Sequence, residues 1–198
     1  PFQKPYRLLA IGRFARTKGF PELLTAMARL RDDGFPVRLT LVGDGNWKRK
    51  LVDMRKRLHL EDLVDMPGFV PNDRIRTFME EHDMLVVPSV VHTNGDRDGI
   101  PNVIMEALSC GMPVVATDVC GVGIRNGETG YLIPQRDPAA LADAIRRMLS
   151  DREAALRMAR TGRELVFRMF DTETNIAALQ DLYCRQYTQW RTTHGPNV

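Results

Sequence analysis

One segment of the chain combines a single polar stripe with an otherwise apolar helical pattern. At about 100° per residue, Asn102, Glu106 and Ser109 fall within one narrow arc of this helix. The remaining surface is largely filled by Val103, Ile104, Ala107, Leu108 and Cys110. Because burying an unpaired carboxylate is costly, Glu106 either faces a polar ligand in an open cleft or forms an ion pair with a neighbouring side chain.

The start of the same helix is suited to binding an anion. Pro101 stands at its beginning, so the backbone N–H groups of Asn102 and Val103 have no partner within the helix. Such N–H groups, together with the helix dipole, attract negative charge. An anion at the helix tip and a carboxylate at Glu106 that accepts hydrogen bonds from hydroxyl groups together fit the phosphate and ribose of a nucleotide.

A second candidate segment, "GRFARTKG", occupies residues 12–19. Gly12 lets the backbone turn tightly, Arg13 supplies a planar fork of donors, and Lys18 supplies a point charge. These groups are suited to a diphosphate, although ordinary solvated surface residues would give the same pattern. The turn "GDGNWK" at residues 43–48 is equally compatible with a ligand contact and with a simple connection from strand to helix.

Short apolar runs alternate with longer helical patterns along the chain. Strands are predicted at residues 7–12, 37–43, 63–70, 83–89, 112–117 and 129–133. Helices are predicted at residues 20–34, 46–60, 72–82 and 101–110 and from residue 138, followed by two more at about 151–168 and 172–190. This alternation predicts an α/β fold, a Rossmann-like parallel sheet with helices on both faces. In such a sheet the ligand lies beyond the carboxyl ends of the strands, where the candidate segments begin.

Side-chain patterns predict the buried faces and two helix starts. Inward-facing residues are expected at Leu23, Met27 and Leu30, at Leu51, Met54 and Leu58, and at Leu141, Ile145 and Met148. Asp137 followed by Pro138 is typical of an N-cap and a first helical residue, and Asn72 or Asp73 is predicted to cap the helix that starts there. We interpret residues 1–198 as one domain with a helical tail from about residue 151.

The composition favours a cytoplasmic domain with an anionic ligand. The chain is 43% hydrophobic and 27% charged, and its 28 basic and 25 acidic residues give a net charge of +3 and a pI of about 9.0. So small an excess suits a phosphate ligand without requiring nucleic acid. Cys110, Cys120 and Cys184 form no C-x-x-C pair and are interpreted as reduced thiols. The sequence has neither a membrane-spanning run nor a signal-peptide pattern, and its first residue, proline, is typical of a piece of a longer protein.

Five blocks of the sequence, in this order and at these separations, resemble one enzyme family: "GRFARTKG", "LVGDG", "MPGFVP", "VVPS" and "DGIPNVIMEALSCGMPVVATD". The family is the family-4 retaining glycosyltransferases, or glycosyl transferases group 1, whose members have two facing Rossmann-like domains (the B-type architecture). The blocks match the C-terminal, donor-binding domain over about residues 6–133. The resemblance implies that Gly12, Arg13 and Lys18 bind the donor diphosphate, that Phe69 and Val70 contact the base, that Glu106 binds the ribose and that Asp98 lies near the transferred sugar.

Two features depart from the family pattern. The first acid of the family is usually glutamate, whereas the shorter Asp98 stands here, which changes the reach toward the sugar. The segment "VCGVGIRNGETG" is shorter than its counterpart and lacks the glutamate found there, so the contacts of that turn are not carried over.

The resemblance implies a hexosyltransferase that uses a UDP-, GDP- or ADP-linked sugar as donor, retains the configuration at the anomeric carbon, and needs no metal or other cofactor. Asp98, Arg13 and Lys18 would carry the catalysis, and bacterial relatives suggest an acceptor in exopolysaccharide or lipid-linked glycan synthesis. An N-terminal acceptor-binding domain is expected in addition, without which the chain would bind donor and transfer nothing. Two alternatives are a non-catalytic module that binds a nucleotide or saccharide, and half of a sugar-nucleotide epimerase.

Three other patterns have a simpler interpretation. Asp96 and Asp98 form a D-x-D pair, but two carboxylates on a loop without further ligands make a poor metal site. His92, in the same loop, is more typical of a solvated histidine than of a substrate contact. The basic run "WKRKLVDMRKRL" favours a solvated helix face, with peripheral contact to anionic lipid on the inner face of the membrane as the alternative.

Overall fold

Within residues 3–97, 101–120 and 123–195, which the computed structural model describes, six parallel strands form one sheet in the order β3-β2-β1-β4-β5-β6. The strands are β1 (Tyr6–Ile11), β2 (Val37–Val42), β3 (Val64–Gly68), β4 (Met84–Val87), β5 (Val114–Thr117) and β6 (Tyr131–Ile133). All neighbouring pairs are parallel, with Tyr6 opposite Val37 at the start of the central pair. The predicted α/β fold is confirmed, and each predicted strand is present: β1 begins and ends one residue earlier than predicted, and the other five lie within their predicted bounds.

Helices follow the strands and cover both faces of the sheet. They are α1 (Phe20–Asp32), α2 (Lys48–Arg57), α3 (Asn72–Glu81), α4 (Asn102–Ser109), α5 (Pro138–Ser150), α6 (Arg152–Phe170) and α7 (Thr172–His194). Leu8 on β1 faces a core built with α1, α2 and α5, whereas its neighbour Leu9 faces a second core built with α3 and α4. This alternation follows from the period of two along a strand and explains why both faces need a helical cover.

The predicted inward faces are largely confirmed. The predicted residues of α1 and α5 are all buried: Leu23, Met27, Leu30, Leu141, Ile145 and Met148. On α2, Leu51 is buried, while Met54 and Leu58 are only partly buried. Cys110 was expected on the apolar side of α4 but is exposed, because it lies just past the last helical residue.

One predicted helix start is confirmed and the other is wrong. The Asp137 side chain accepts a hydrogen bond from the Ala140 N–H at 2.9 Å, and Pro138 is the first residue of α5. At α3 the N-cap position is Pro71, and no side chain caps the helix. Asn72 already belongs to the helix, which places its side chain where it can line a neighbouring pocket.

Helices α6 and α7 begin close to the predicted positions, but of the two it is α6 that packs against the core of the domain, through α4 and α5. Residues of α7 are exposed along its length, including the apolar Ile176, Leu179, Tyr183 and Trp190. No helix in the described part of the chain has a run of apolar residues long enough to cross a bilayer.

His82 provides a pH-sensitive contribution to stability. With its proton on Nδ1, the ring donates to the Phe78 carbonyl oxygen at 2.6 Å and accepts from the Thr40 hydroxyl at 2.8 Å. Burial lowers the pKa of His82 from its ordinary value, because it penalises the charged form.

We expect the free energy of unfolding to fall as the pH drops below about 6.5, because His82 binds a proton in the unfolded chain at pH values where it stays neutral in the folded protein. The slope due to His82 is at most about 1.4 kcal/mol per pH unit. Urea unfolding of the parent and of His82→Asn between about pH 5 and pH 8 measures it. The variant should lose the slope, whereas His92→Asn, at a partly buried loop position, should keep it. Equal slopes in the parent and in His82→Asn would contradict the assignment.

Candidate functional site

A pocket of about 430 Å³ lies at the carboxyl ends of β1, β2 and β3, beside the start of α4. It brings together the eight described residues that were predicted to bind the donor: Gly12, Arg13, Lys18, Phe69, Val70, Asn102, Val103 and Glu106. Asp98 lies outside the described residues, so its predicted contact with the sugar stays a prediction. The residues come from three separate stretches of sequence, which meet because parallel strands end at the same edge of the sheet.

Glycines allow the loops after β1 and β2 to approach each other closely. Gly43 and Gly45 have φ angles of 148° and 152°. A Cβ on Gly43 would overlap the Gly12 carbonyl oxygen, and one on Gly45 would lie 2.6 Å from the Phe14 carbonyl oxygen. The Phe14 N–H donates to the Asp44 carbonyl oxygen at 2.8 Å and joins the two loops. The pocket therefore has a wall of tightly paired backbone.

The lysine in the first loop is positioned by local packing. A short 3₁₀ turn, Arg16–Lys18, ends at Gly19, which adopts a left-handed conformation with φ of 63°. A Cβ on Gly12 would lie 3.3 Å from both Cδ and Cε of Lys18. The aliphatic part of Lys18 thus packs over Gly12, and its half-buried side chain reaches the pocket.

The two arginines of this loop have different surroundings. Arg16 donates two hydrogen bonds to the Glu22 carboxylate, at 3.0 and 2.8 Å, and its guanidinium lies 5.8 Å from the Trp47 ring centroid. Arg13 is exposed at the pocket and forms no hydrogen bond or ion pair with any residue that the structure describes. The contacts of Arg16 hold the loop against Glu22 of α1 and Trp47, which directly precedes α2. The donors of Arg13 remain available to bind an anion.

Glu106 occupies the outward face of α4, one turn after Asn102. Its side chain is exposed and lines the pocket. Among the described residues, no cation forms an ion pair with the Glu106 carboxylate, so the alternative of a structural ion pair is wrong within that part of the chain. A carboxylate with free lone pairs at a pocket wall can accept hydrogen bonds from ligand hydroxyl groups.

The N-terminus of α4 opens toward the same space. Pro101 is its N-cap residue, with extended backbone, and no described side chain caps the helix. Asn102 and Val103, the first residues of the helix, both line the pocket. The positive end of the helix dipole and the side chains of Arg13 and Lys18 therefore act on one region of the pocket.

The loop after β3 forms the apolar end of the pocket. Phe69 is 75% exposed, although a phenylalanine ring usually gains from burial, and Val70 beside it is half-buried. Asn72 and Ile75 of α3 continue this wall. An exposed aromatic ring at a pocket rim offers a face on which a flat heterocycle can stack.

Asp44 lines the pocket and was not singled out from the sequence. Its carboxylate accepts hydrogen bonds from Lys48 Nζ and from the Gly45 N–H, both at 2.7 Å. The Lys48 hydrogen bond, followed by that of Gly45, lowers the pKa of Asp44 from its ordinary value. Gly43 and Gly45, on either side of Asp44, were the sequence signal that could have identified it, because glycines at these positions indicate an unusual backbone turn.

A second cavity, of about 520 Å³, lies next to the first, between α3, α4 and α6. The two share Asn72, Ile75 and Glu106. The second cavity is the larger, but it contacts neither Arg13 nor Lys18 nor the start of α4. The first pocket is therefore the better candidate for a phosphate-containing ligand.

The loop that contains His92 and Asp96 is organised by its own hydrogen bonds. His92 Nδ1 lies 2.9 Å from Asn94 Oδ1, and the Asp96 N–H donates to the same oxygen at 3.0 Å. His92 is not among the pocket residues. In the part of the chain that the structure describes, no three His, Cys, Asp or Glu side chains lie close enough together to hold a metal ion.

Comparison with known proteins gives a consistent picture. The family model described as "Glycosyl transferases group 1" matches residues 1–165. The chain is 34% identical over 140 residues to the putative colanic acid biosynthesis glycosyltransferase WcaL of Salmonella typhimurium, covering 70% of this chain and 34% of that protein. It is also 34% identical over 153 residues to the amylovoran biosynthesis glycosyltransferase AmsK of Erwinia amylovora, covering 76% of this chain and 37% of that protein.

Solved structures show the same fold. Sucrose-phosphate synthase from Thermosynechococcus elongatus superposes with a TM-score of 0.81 at 29% identity, over 96% of this chain and 47% of that one. Anabaena HepE, solved in complex with UDP and glucose, superposes with a TM-score of 0.79 at 26% identity, over 90% of this chain and 48% of that one. The chain thus spans about a third of the curated relatives and about half of these solved chains.

Proposed function

Because the chain belongs to the group 1 glycosyltransferases, we propose that its 430 Å³ pocket binds the nucleotide-diphosphate sugar that serves as glycosyl donor. The observation that carries this proposal is the meeting of two cationic side chains, a helix N-terminus and the Glu106 carboxylate, which pairs with no described cation, in one pocket. Binding of UDP by Anabaena HepE, which has the same fold, supports it. The diphosphate lies against Arg13, Lys18 and the start of α4, the ribose hydroxyls bind Glu106, and the base stacks near Phe69.

The proposed chemistry is transfer with retention at the anomeric carbon. As the bond between sugar and diphosphate breaks, negative charge grows on the departing diphosphate and positive charge on the sugar ring. Arg13, Lys18 and the N–H groups of Asn102 and Val103 stabilise the departing group without moving, which is the form of electrostatic stabilisation that lowers a barrier most. Asp98 would act on the transferred sugar. The proposal requires no metal ion.

The acceptor is proposed to belong to exopolysaccharide synthesis, because WcaL and AmsK are described as glycosyltransferases of colanic acid and amylovoran biosynthesis. This proposal rests on sequence similarity to part of those proteins.

We expect the purified 198-residue chain to bind donor and to transfer no sugar. The solved relatives are about twice as long, and a donor held on one open wall lacks the positioning of an acceptor, which contributes about 7 to 11 kcal/mol to such reactions. A transfer assay with radiolabelled donor checks this expectation. Turnover above background by the chain alone would show that it holds a complete active site.

Replacing the ribose-binding carboxylate tests the site directly. Glu106→Gln removes a charge but keeps the shape, so hydrogen bonds to a charged acceptor, worth about 1.5 to 3 kcal/mol, become bonds to a neutral one. We expect the nucleoside diphosphate to bind about five- to thirtyfold more weakly, with an unchanged melting temperature of the free chain. Calorimetric titration measures the affinity.

The control is Glu164→Gln on α6, an exposed glutamate outside the pocket. It should leave the affinity within about twofold of the parent. If Glu106→Gln binds as tightly as this control, Glu106 does not bind the ribose.

A further inference from the structure

The outward face of α2 carries a concentration of positive charge. The helix, Lys48–Arg57, has six basic residues and one acid, Asp53. At about 100° per residue, four of the cations and Asp53 fall within an arc of about 120° that points away from the buried Leu51. The four cations, here called the α2 basic face, are Arg49, Lys50, Lys56 and Arg57. With Asp53 they carry +3, which equals the formal net charge of the whole chain.

These cations have no acidic partner among the described residues. Elsewhere on the surface, basic side chains commonly pair along their own helix, as Arg76 does with Glu80 and Arg185 with Asp181. On α2, Lys48 pairs with Asp44 of the preceding turn, at 2.7 Å. Among the described residues, no acid pairs with any member of the α2 basic face. The α2 basic face therefore has a local positive potential that attracts negatively charged molecules or surfaces.

An apolar groove runs beside the basic face. It has a volume of about 470 Å³ and is lined by Pro21, Trp47, Lys50, Leu51, Asp53, Met54 and Arg57. Lys50 Nζ lies 4.3 Å from the Trp47 ring centroid. The groove thus combines apolar side chains with Lys50 and Arg57, which belong to the basic face. Such a combination fits a molecule that has an anionic head and an apolar body, and a tryptophan beside cations is typical of proteins at a lipid interface.

We propose that the α2 basic face binds the surface of a membrane that contains anionic phospholipid. Clusters of four or more basic residues are sufficient for this kind of attachment, since each contributes to attraction by the negative surface. Nucleic acid fits less well, because the outward arc of α2 has no aromatic side chain on which a base could stack. The turn before α2 contains Asp44, which lines the donor pocket, so attachment through α2 would hold that pocket near the lipid surface.

The proposal is tested by cosedimentation of the purified chain with vesicles. Vesicles of equal parts phosphatidylcholine and phosphatidylglycerol are compared with vesicles of phosphatidylcholine alone. The chain should bind only the former, and added salt should release it, because screening weakens attraction between exposed charges. No preference for the phosphatidylglycerol vesicles would overturn the proposal.

Two charge-reversed variants locate the binding face. Arg49→Glu/Lys56→Glu changes one side of the α2 basic face, whereas Arg160→Glu/Arg168→Glu makes the same change in net charge at exposed positions of α6 that pair with no described residue. Each lost cation is worth about a fivefold change, so the α2 variant should bind phosphatidylglycerol vesicles at least about 25-fold more weakly. The α6 variant should bind within about threefold of the parent.

Two results would contradict this assignment. Equal losses in both variants would mean that net charge alone drives binding. Tight binding of a short DNA or RNA duplex by the parent, lost in the α2 variant while vesicle binding is weak, would assign the face to nucleic acid. Because all four substituted positions are exposed, circular dichroism should show folded variants. If Arg49→Glu/Lys56→Glu fails to fold, Arg49→Gln/Lys56→Gln replaces it, with an expected loss of about 25-fold. Nucleotide affinity should be the same in all variants, which keeps this test separate from that of the donor site.

Discussion

Replacing both Arg13 and Lys18 with alanine is expected to weaken binding of a nucleoside diphosphate by about a hundredfold to ten-thousandfold. Each cation makes a charge-assisted hydrogen bond to the diphosphate worth about 1.5 to 3 kcal/mol, and about 1.4 kcal/mol corresponds to a factor of ten. Binding of the bare nucleoside, which has no phosphate, should change by less than about threefold. Calorimetric titration of the parent and the double variant with nucleoside and nucleoside diphosphate measures both values.

Arg16→Ala is the matched control for this experiment. Arg16 lies in the same loop, but it is fastened to Glu22 by two hydrogen bonds and is absent from the pocket lining. Its loss should lower the stability of the loop without changing the preference for diphosphate over nucleoside. If the Arg13 and Lys18 variant lost affinity for both ligands equally, the two cations would not be contacts of the diphosphate.

Gly19→Ala is expected to lower the free energy of unfolding by about 2 to 5 kcal/mol. Gly19 has a φ of 63°, and an added Cβ would overlap the carbonyl oxygen of Pro88, just beyond β4. A left-handed conformation costs a non-glycine residue about 1 to 2 kcal/mol, and forcing packed groups apart costs about 1 to 3 kcal/mol more. Because Gly19 ends the turn that carries Lys18, donor binding should weaken as well.

Gly34→Ala separates the two contributions. Gly34 follows α1 with a φ of 68°, but a Cβ there would meet no atom within 4 Å. This variant should lose only the conformational part, about 1 to 2 kcal/mol. Urea unfolding of both variants gives the comparison, and equal losses would show that Gly19 and the end of β4 are not in close contact.

Much of the fold followed from local patterns. Leu23, Met27 and Leu30 recur at helical spacing and are buried, and the strands between such helices lie in one parallel sheet. The pocket followed from this topology, because parallel strands bring the loops that follow them to one edge. The outward direction of Glu106 followed from the helical period alone.

The remaining features depend on contacts and backbone geometry that local residue patterns did not show. The hydrogen bond of Phe14 to Asp44 joins the loops after β1 and β2, and no local pattern showed that this contact would place Asp44 in the pocket. The division of roles between Arg13 and Arg16 depends on Glu22, which lies one element further along. The wrong cap at α3 came from the preference of asparagine for N-cap positions. In the structure Pro71 occupies the N-cap position, and Asn72 is the first residue of the helix.

The most direct test of the donor site is calorimetric titration of the purified chain with UDP, GDP and ADP. The melting temperature of the chain is then measured with each nucleotide. We predict that at least one of the three binds, and that at about 100 times its dissociation constant it stabilises the fold by about 2.7 kcal/mol, which raises the melting temperature. A chain that shows no shift and no heat of binding with any of the three nucleotides, each at about millimolar concentration, would contradict the assignment of this pocket to a nucleotide-sugar donor.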